Sequence, residues 1–241
     1  MARVTENGFA GTVGNLVFYS MNGKSYVRTK PGPRKKNKGA VQNPLNTVFG
    51  IVSKHGSALI KGINSEFPFR FGREAYNNVR GWMRNNYSMY KDAADWELSV
   101  RASGMCQLNK ETDLRDCLKV ELSVTDEGNG KIAITFPSII PVRDIKAPSR
   151  TMKVNIKLIV VTSPFRNAPG TYNHCTEQFS FIYNDSELPA KTFLIETKAS
   201  KPDLVFTAVS LTYETKDSGE AKYNTEKKWL PAAMIAMGRL K

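Results

Sequence analysis

The sequence predicts an α+β protein in which an N-terminal β-hairpin with a basic arm and two helices precedes an antiparallel, immunoglobulin-like β-sandwich. Three observations support this order. Two apolar runs flank an Asn-Gly pair near the start, apolar residues then recur at helical intervals, and from about residue 118 apolar and polar residues alternate between turns. The predicted segments are 1–40 for the hairpin and arm, 41–110 for the helices and 111–241 for the sandwich.

The positive charge of the chain is concentrated at its start. The 241 residues are 41% hydrophobic and 24% charged, which is ordinary globular composition, and the net charge is +13. Residues 1–50 hold eight basic side chains and one acidic one, Glu6, which gives +7. A surplus confined to one segment indicates an anionic partner for that segment.

Residues 9–29 are predicted to form a short hairpin. An aromatic and β-branched run at residues 16–19 precedes Asn22-Gly23, and Tyr26-Val27 follows. Asn-Gly suits a type I′ turn, because both central residues of that turn need positive φ. Such a hairpin is too small to be stable alone, so the rest of the chain or a partner is expected to cover it.

Three side chains on this hairpin are candidate contacts for nucleic acid. Tyr19, Tyr26 and Arg28 can stack on bases or hold a phosphate backbone. The alternative interpretation is that the tyrosines simply fill strand positions, which aromatic residues favour.

The strongest candidate site is the basic arm, KPGPRKKNK, at residues 30–38. Pro31 and Pro33 fix φ and lack N–H donors, which excludes a regular helix or a central strand. An extended cationic segment of this kind is suited to contacts with phosphates, and the alternative is a solvated linker. Its cations are Lys30, Arg34, Lys35, Lys36 and Lys38.

Two helices are expected after the arm. Asn43-Pro44 offers an N-cap with proline at the first helical position. Three glycines in the first helix, at 50, 56 and 62, predict an interruption. The second helix is predicted from Arg73 to about Trp96.

The second helix carries a further candidate site. Arg73, Arg80, Arg84 and Lys91 are separated by 7, 4 and 7 residues, so they share one helix face. This face is either a second phosphate-binding stripe or the solvated side of an amphipathic helix.

The sandwich prediction depends on alternating runs separated by turns. Residues 118–124 and 131–136 alternate around a turn at 126–130. No Cys–Trp–Cys pattern is present, so the immunoglobulin analogy is architectural only. The further strand candidates are residues 152–161, 178–184, 191–197, 204–213 and the run MIAM within 230–240.

The opening segment resembles a large uncharacterised family from Bacteroidetes. That family has a Gly-rich start, a VGN-hydrophobic segment, a short glycine turn, a V/I-R-x-x-P element and a sandwich-like C-terminal half. The resemblance covers roughly residues 8–60 and implies the source and the layout but no chemistry. The matching residues are Gly11, Val13, Gly14, Asn15, Gly23, Val27, Arg28 and Pro31.

The residue inventory argues against an enzyme. Only two histidines occur, and no motif of a Ser hydrolase, zinc protease, P-loop or dinucleotide fold is present. The three cysteines lack CxxC spacing, and His174 and Cys175 point to opposite faces of any strand. We therefore expect no catalysis, no metal and no cofactor. The start lacks the apolar run of a secretory signal, so cytoplasmic localisation is the default expectation.

These observations predict a non-enzymatic protein that binds RNA or another polyanion within a large assembly, with an accessory protein of the ribosome as the favoured type. Protein partners are expected through the N-terminal hairpin, and a membrane is not expected. The alternative is a structural or assembly protein of a phage-like particle. The sequence leaves RNA, DNA and an acidic protein open as the polyanion.

Overall fold

A computed structural model describes residues 3–5, 8–21, 24–32, 44–67, 69–85, 105–164, 172–198, 203–217 and 220–239. The contacts divide the chain into two compact units, Met1–Gln42 and Asn43–Lys241. The structure has helices and mostly antiparallel sheets, which confirms the α+β class. The immunoglobulin-like architecture stays a prediction.

The first unit is a four-stranded antiparallel sheet in which consecutive strands are neighbours. The predicted hairpin corresponds to the last two strands, and the turn residues Asn22 and Gly23 lie outside the described residues. After the last strand, the Lys30 amide donates to the Asn15 carbonyl at 2.7 Å. The strands are β1 (Arg3–Thr5), β2 (Gly8–Val13), β3 (Leu16–Met21) and β4 (Lys24–Thr29).

No side chain is buried among residues 9–21 and 24–32 of this unit. A sheet gains stability mainly by covering an apolar face, and small sheets without such a cover are marginal in water. The described part of the first unit therefore has no hydrophobic core of its own.

The second unit contains two further antiparallel sheets. One is three-stranded with the order β10-β7-β6, and the other is six-stranded with the order β5-β13-β11-β8-β9, with β12 paired to the end of β11. The strands are β5 (Cys106–Gln107), β6 (Ser123–Gly128), β7 (Lys131–Phe136), β8 (Thr151–Pro164), β9 (Asn173–Ile182), β10 (Lys191–Glu196), β11 (Asp203–Asp217), β12 (Glu220–Tyr223) and β13 (Ala232–Arg239).

Two longer helices, α1 (Pro44–Glu66) and α2 (Arg73–Asn85), belong to the same unit as these sheets. Two single-turn helices, α3 (Leu114–Cys117) and α4 (Pro141–Asp144), lie in connections and were not predicted. No helix in the described part of the chain is long and apolar enough to cross a membrane.

Two hydrophobic cores flank the six-stranded sheet. The inter-sheet core joins one face of it to the three-stranded sheet, and the helix–sheet core joins the other face to α1 and α2. Strand β8 contributes to both, with Leu158 and Val160 in the first and Ile159 and Val161 in the second. Burial on both faces explains why residues 158–161 form a continuous apolar run instead of alternating.

The predicted interruption of the first helix is wrong, because α1 runs without a break from Pro44 to Glu66. At Gly62 a Cβ atom would lie 3.0 Å from the Tyr172 ring and 3.3 Å from Val161. This glycine lets the helix approach the sheet closely. Tertiary packing outweighs the low helix propensity of glycine, which costs about 1 kcal/mol.

The hairpin of β6 and β7 begins later than predicted. Leu118 makes only an isolated bridge to Ile145, and β6 starts at Ser123. The turn residues Asn129 and Gly130 have φ values of 52° and 75°, as a type I′ turn requires. The alternation of apolar and polar residues from residue 118 therefore predicted the start of the strand five residues too early.

Two tyrosine hydroxyls hold the segment after α4. Tyr213 donates to the Lys146 carbonyl and Tyr183 to the Ile145 carbonyl, each at 2.9 Å. Tyr213 is fully buried, whereas Tyr183 is half-buried. Burial raises the pKa of both phenols, so each stays a neutral donor at physiological pH.

Tyr213→Phe is expected to lower the free energy of unfolding by about 1–2 kcal/mol, because the Lys146 carbonyl loses its partner. Tyr183→Phe is the matched control and should cost less, since water can reach its site. Urea denaturation measures both losses. Equal losses for the two variants would contradict this explanation.

Candidate nucleic-acid interface

The register of the first sheet assigns its side chains to two faces. Residues directly opposite each other on neighbouring strands point the same way, and successive residues along a strand alternate. Tyr19 pairs with Tyr26, and Val17 pairs with Arg28, which places these four on one face. We call this surface the Tyr–Arg face.

The aromatic side chains of the Tyr–Arg face are ordered against each other and remain accessible. The rings of Tyr19 and Tyr26 are stacked with centroids 5.5 Å apart and planes inclined by 20°. The Arg28 guanidinium lies 5.8 Å from the Tyr19 centroid, within cation–π range. Tyr19 is 37% exposed and Tyr26 38% exposed. The face therefore presents flat aromatic surface next to a fixed positive charge.

The positive charges near this face are not neutralised by acidic side chains of the described residues. Among the residues that the structure describes, Arg28 and Lys30 have no carboxylate partner within ion-pair distance. Lys24 is also exposed and pairs with Met21 at the end of the same face. The sequence interpretation did not include it among the candidate contacts. Lys24, Tyr26 and Arg28 are two residues apart along β4. The alternation of side chains along a strand could therefore have placed Lys24 on the same face as the other two.

The main part of the basic arm lies outside the described residues. Lys30 follows β4 directly and is exposed, as are Pro31 and Gly32. The remaining cations, Arg34, Lys35, Lys36 and Lys38, belong to the part of the chain that the structure does not describe.

The opposite surface of the first sheet is the apolar face. Phe9, Val13, Leu16 and Val27 lie on it, and three of the four are more than half exposed. The Phe9 and Phe18 rings contact each other across the sheet at a centroid distance of 6.2 Å. The two faces of this sheet therefore differ in chemistry, and the sequence interpretation did not separate them.

The three arginines of α2 lie in the second unit and on one face of the helix, opposite the buried Val79 and Trp82. Arg73 and Arg84 are exposed. The Arg80 guanidinium lies 4.8 Å from the Phe49 centroid and 5.4 Å from the Tyr76 centroid. These ring contacts give Arg80 a packing role between the two helices, whereas Arg73 and Arg84 remain available to a ligand.

The histidines and cysteines take structural positions. His55 is buried and its Nδ1 lies 3.1 Å from Ser163 Oγ. His174 Nε2 lies 2.9 Å from Glu66 Oε1, and its neighbour Cys175 packs against the inter-sheet core. Burial raises the pKa of the Cys106 thiol to about 12, which keeps it protonated and unreactive. Among the described residues no three His, Cys, Asp or Glu side chains are arranged to hold a metal ion.

Comparisons of the chain with known protein families, with curated proteins and with solved structures found no match.

Proposed function

We propose that this protein binds single-stranded nucleic acid, with RNA in a large ribonucleoprotein as the favoured partner, and that it has no catalytic activity. The single observation that carries the proposal is the Tyr–Arg face, where two stacked, accessible tyrosines adjoin an arginine without a carboxylate partner among the described residues. Aromatic rings beside cations are the combination that unpaired bases and their phosphates require.

The basic arm extends the same chemistry along the chain. Strand β4 brings Tyr26 and Arg28 to its end, and Lys30 begins the cationic segment that contains Arg34, Lys35 and Lys36. A base held by the tyrosines would thus be followed by phosphates within reach of the arm. Each neutralised phosphate releases counterions, so affinity from the arm depends on salt, whereas stacking on the tyrosines does not.

The proposed layout keeps the second unit as the carrier. In this layout the hairpin and arm contact the phosphates of a ribosome-type particle in the cytoplasm, and the immunoglobulin-like sandwich takes no part in those contacts. Arg73 and Arg84 on α2 would supply additional phosphate contacts from the second unit.

The test is a measurement of the affinity for a short single-stranded RNA by fluorescence anisotropy. Tyr26→Ala is expected to weaken binding by at least about fivefold, because one base–aromatic stack contributes roughly 1–3 kcal/mol. Val27→Ala is the matched control, since Val27 is the next residue on the same strand but lies on the apolar face. RNA binding that survives Tyr26→Ala, or that Val27→Ala weakens equally, would contradict the proposal.

A second candidate function is supported by the apolar face. As a structural or assembly protein of a phage-like particle, the chain would cover Phe9, Val13 and Val27 with a neighbouring protein subunit, as exposed apolar surface of this kind requires. Nuclease treatment of the native complex distinguishes the two functions. Release of the protein by RNase supports the first, and a symmetric oligomer that survives nuclease supports the second.

A further inference from the structure

A cavity of about 320 Å³ opens on the face of the six-stranded sheet that α1 and α2 pack against. It lies entirely within the second unit. Its volume is at the small end of the range for ligand pockets, roughly 300–1,000 Å³. We call it the sheet-face cavity. Nothing in the proposed nucleic-acid interface uses it.

The floor of the sheet-face cavity consists of two polar cross-strand rows. Ser210 on β11, Lys157 on β8 and Gln178 on β9 are directly opposite one another and form the first row. Thr212 and Asn155 lie two residues further along the same strands and form the second. Because side chains alternate, all five point to the same side of the sheet as the helices.

These rows begin where the helix ends. On the same sheet face, the preceding row contains Ala208 and Ile159, which belong to the helix–sheet core beneath α1. Helix α1 stops at Glu66, and the sheet surface beyond it is polar instead of apolar. The cavity therefore lies over the part of this sheet face that α1 does not cover.

One wall is fixed by an ion pair at the end of α1. Lys157 Nζ donates both to the Glu66 carbonyl and to Glu66 Oε2, the latter at 3.1 Å, and so caps the last turn of the helix. His174 lies against the other carboxylate oxygen. Burial alone would raise the pKa of Glu66, but Lys157 and then His174 hold it below its ordinary value. Lys157 and Glu66 therefore give this wall one positive and one negative charge, which nearly cancel.

The other walls combine aromatic and apolar side chains with the polar Asn224 and Thr225. Phe69 comes from the loop after α1, and its ring lies edge-on to Phe71 at 4.8 Å. Tyr223, at the end of β12, also lines the cavity and is 65% exposed, and Leu230 comes from the connection to β13. Aromatic walls at these positions provide flat apolar surface for a ring-shaped ligand.

A buried hydroxyl at the floor is unsatisfied. Ser210 is 1% exposed, lines the cavity, and its Oγ has no hydrogen-bond partner among the described residues. The neighbouring amide differs, because Asn155 donates to Glu214 and accepts from Ser180. Leaving a buried hydroxyl unpaired costs about 1–3 kcal/mol, so a ligand group that reaches this Oγ would gain by pairing with it.

We propose that the sheet-face cavity binds a neutral sugar ring. The lining contains one cation and one anion that neutralise each other, which disfavours a charged ligand. Its remaining polar groups are hydroxyls and amides, namely those of Ser210, Thr212, Tyr223, Thr225, Asn155, Gln178 and Asn224. A pyranose presents hydroxyls at its edge and an apolar C–H face, which match this floor and the Tyr223 wall.

The test uses the 241-residue chain and saturation-transfer NMR with glucose, galactose and N-acetylglucosamine as probes. Saturable binding of at least one of them is expected below about 10 mM. Ser210→Ala should weaken that binding by about fivefold or more, since it removes one direct hydrogen bond. The variant should still fold, because the lost hydroxyl has no partner in the part of the chain that the structure describes.

Ser123→Ala, at an exposed site on β6, is the matched control and should leave sugar binding unchanged. The proposal is overturned if none of the three sugars binds, if adenosine or glucose 6-phosphate binds more tightly than all of them, or if Ser210→Ala binds sugar as the native protein does. RNA affinity measured on the same samples keeps this result separate from the test of the Tyr–Arg face.

Discussion

Changing Arg34, Lys35 and Lys36 together to glutamine is expected to weaken binding of single-stranded RNA roughly 100-fold at about 0.1 M salt. For single strands, each neutralised phosphate contributes about 0.7 to the slope of log affinity against log salt concentration. Three lost contacts should therefore flatten this slope by roughly 2. Over the tenfold range from about 1 M to about 0.1 M salt, a change of about 2 in this slope corresponds to a loss in affinity of roughly 100-fold.

The measurement is a salt titration of RNA affinity for the native protein and the triple variant. The matched control is Lys54→Gln, Lys61→Gln and Lys146→Gln, which removes the same number of charges from exposed positions of the second unit. That control should leave the slope nearly unchanged. If the arm variant binds RNA normally at low salt, or if both triple variants behave alike, specific phosphate contacts by the arm are ruled out.

Phe206→Ala is expected to lower the free energy of unfolding by about 3–5 kcal/mol. Phe206 is 1% exposed on β11, opposite Val161 of β8 and Met237 of β13. It belongs to the helix–sheet core, so truncation leaves a void between the sheet and the helix layer. The loss combines the transfer free energy of the removed ring with the cost of that void.

Thermal or urea denaturation followed by circular dichroism measures this loss. Ile182→Ala is the control, because Ile182 is 67% exposed on β9 and its removal should cost less than about 0.5 kcal/mol. A small effect of Phe206→Ala would mean that the helices are not tightly packed on the sheet. The void should also loosen the helix layer that ends at Glu66 beside the sheet-face cavity.

Much of the strand pattern could be predicted because local chemistry determines it. Strands β8, β10, β11 and β13 overlap the predicted runs, and α1 begins at the predicted Pro44. The continuity of α1 could not be predicted, since the close approach of Tyr172 and Val161 to Gly62 is a tertiary contact. The two-residue strand β5 and the short β12 carry too few side chains for a periodic signal.

The candidate sites were predicted only in part. Tyr19, Tyr26 and Arg28 were identified by residue type, but their ring stacking depends on a cross-strand register that the sequence does not state. The sheet-face cavity was missed, although β8 contains a signal for it. The polar Lys153, Asn155 and Lys157 alternate with apolar residues just before the continuous apolar run, which marks where the helix cover stops.

The lack of buried side chains among residues 9–21 and 24–32 has a thermodynamic consequence. Because no side chain is buried among residues 9–21 and 24–32, we expect the stability of this sheet to depend on association with a partner. Part of the favourable interaction free energy then offsets the entropy lost when the sheet becomes ordered. The measured affinity is therefore weaker than the contacts alone would give. Association of this kind is accompanied by a large negative change in heat capacity, as expected when folding and binding are one event.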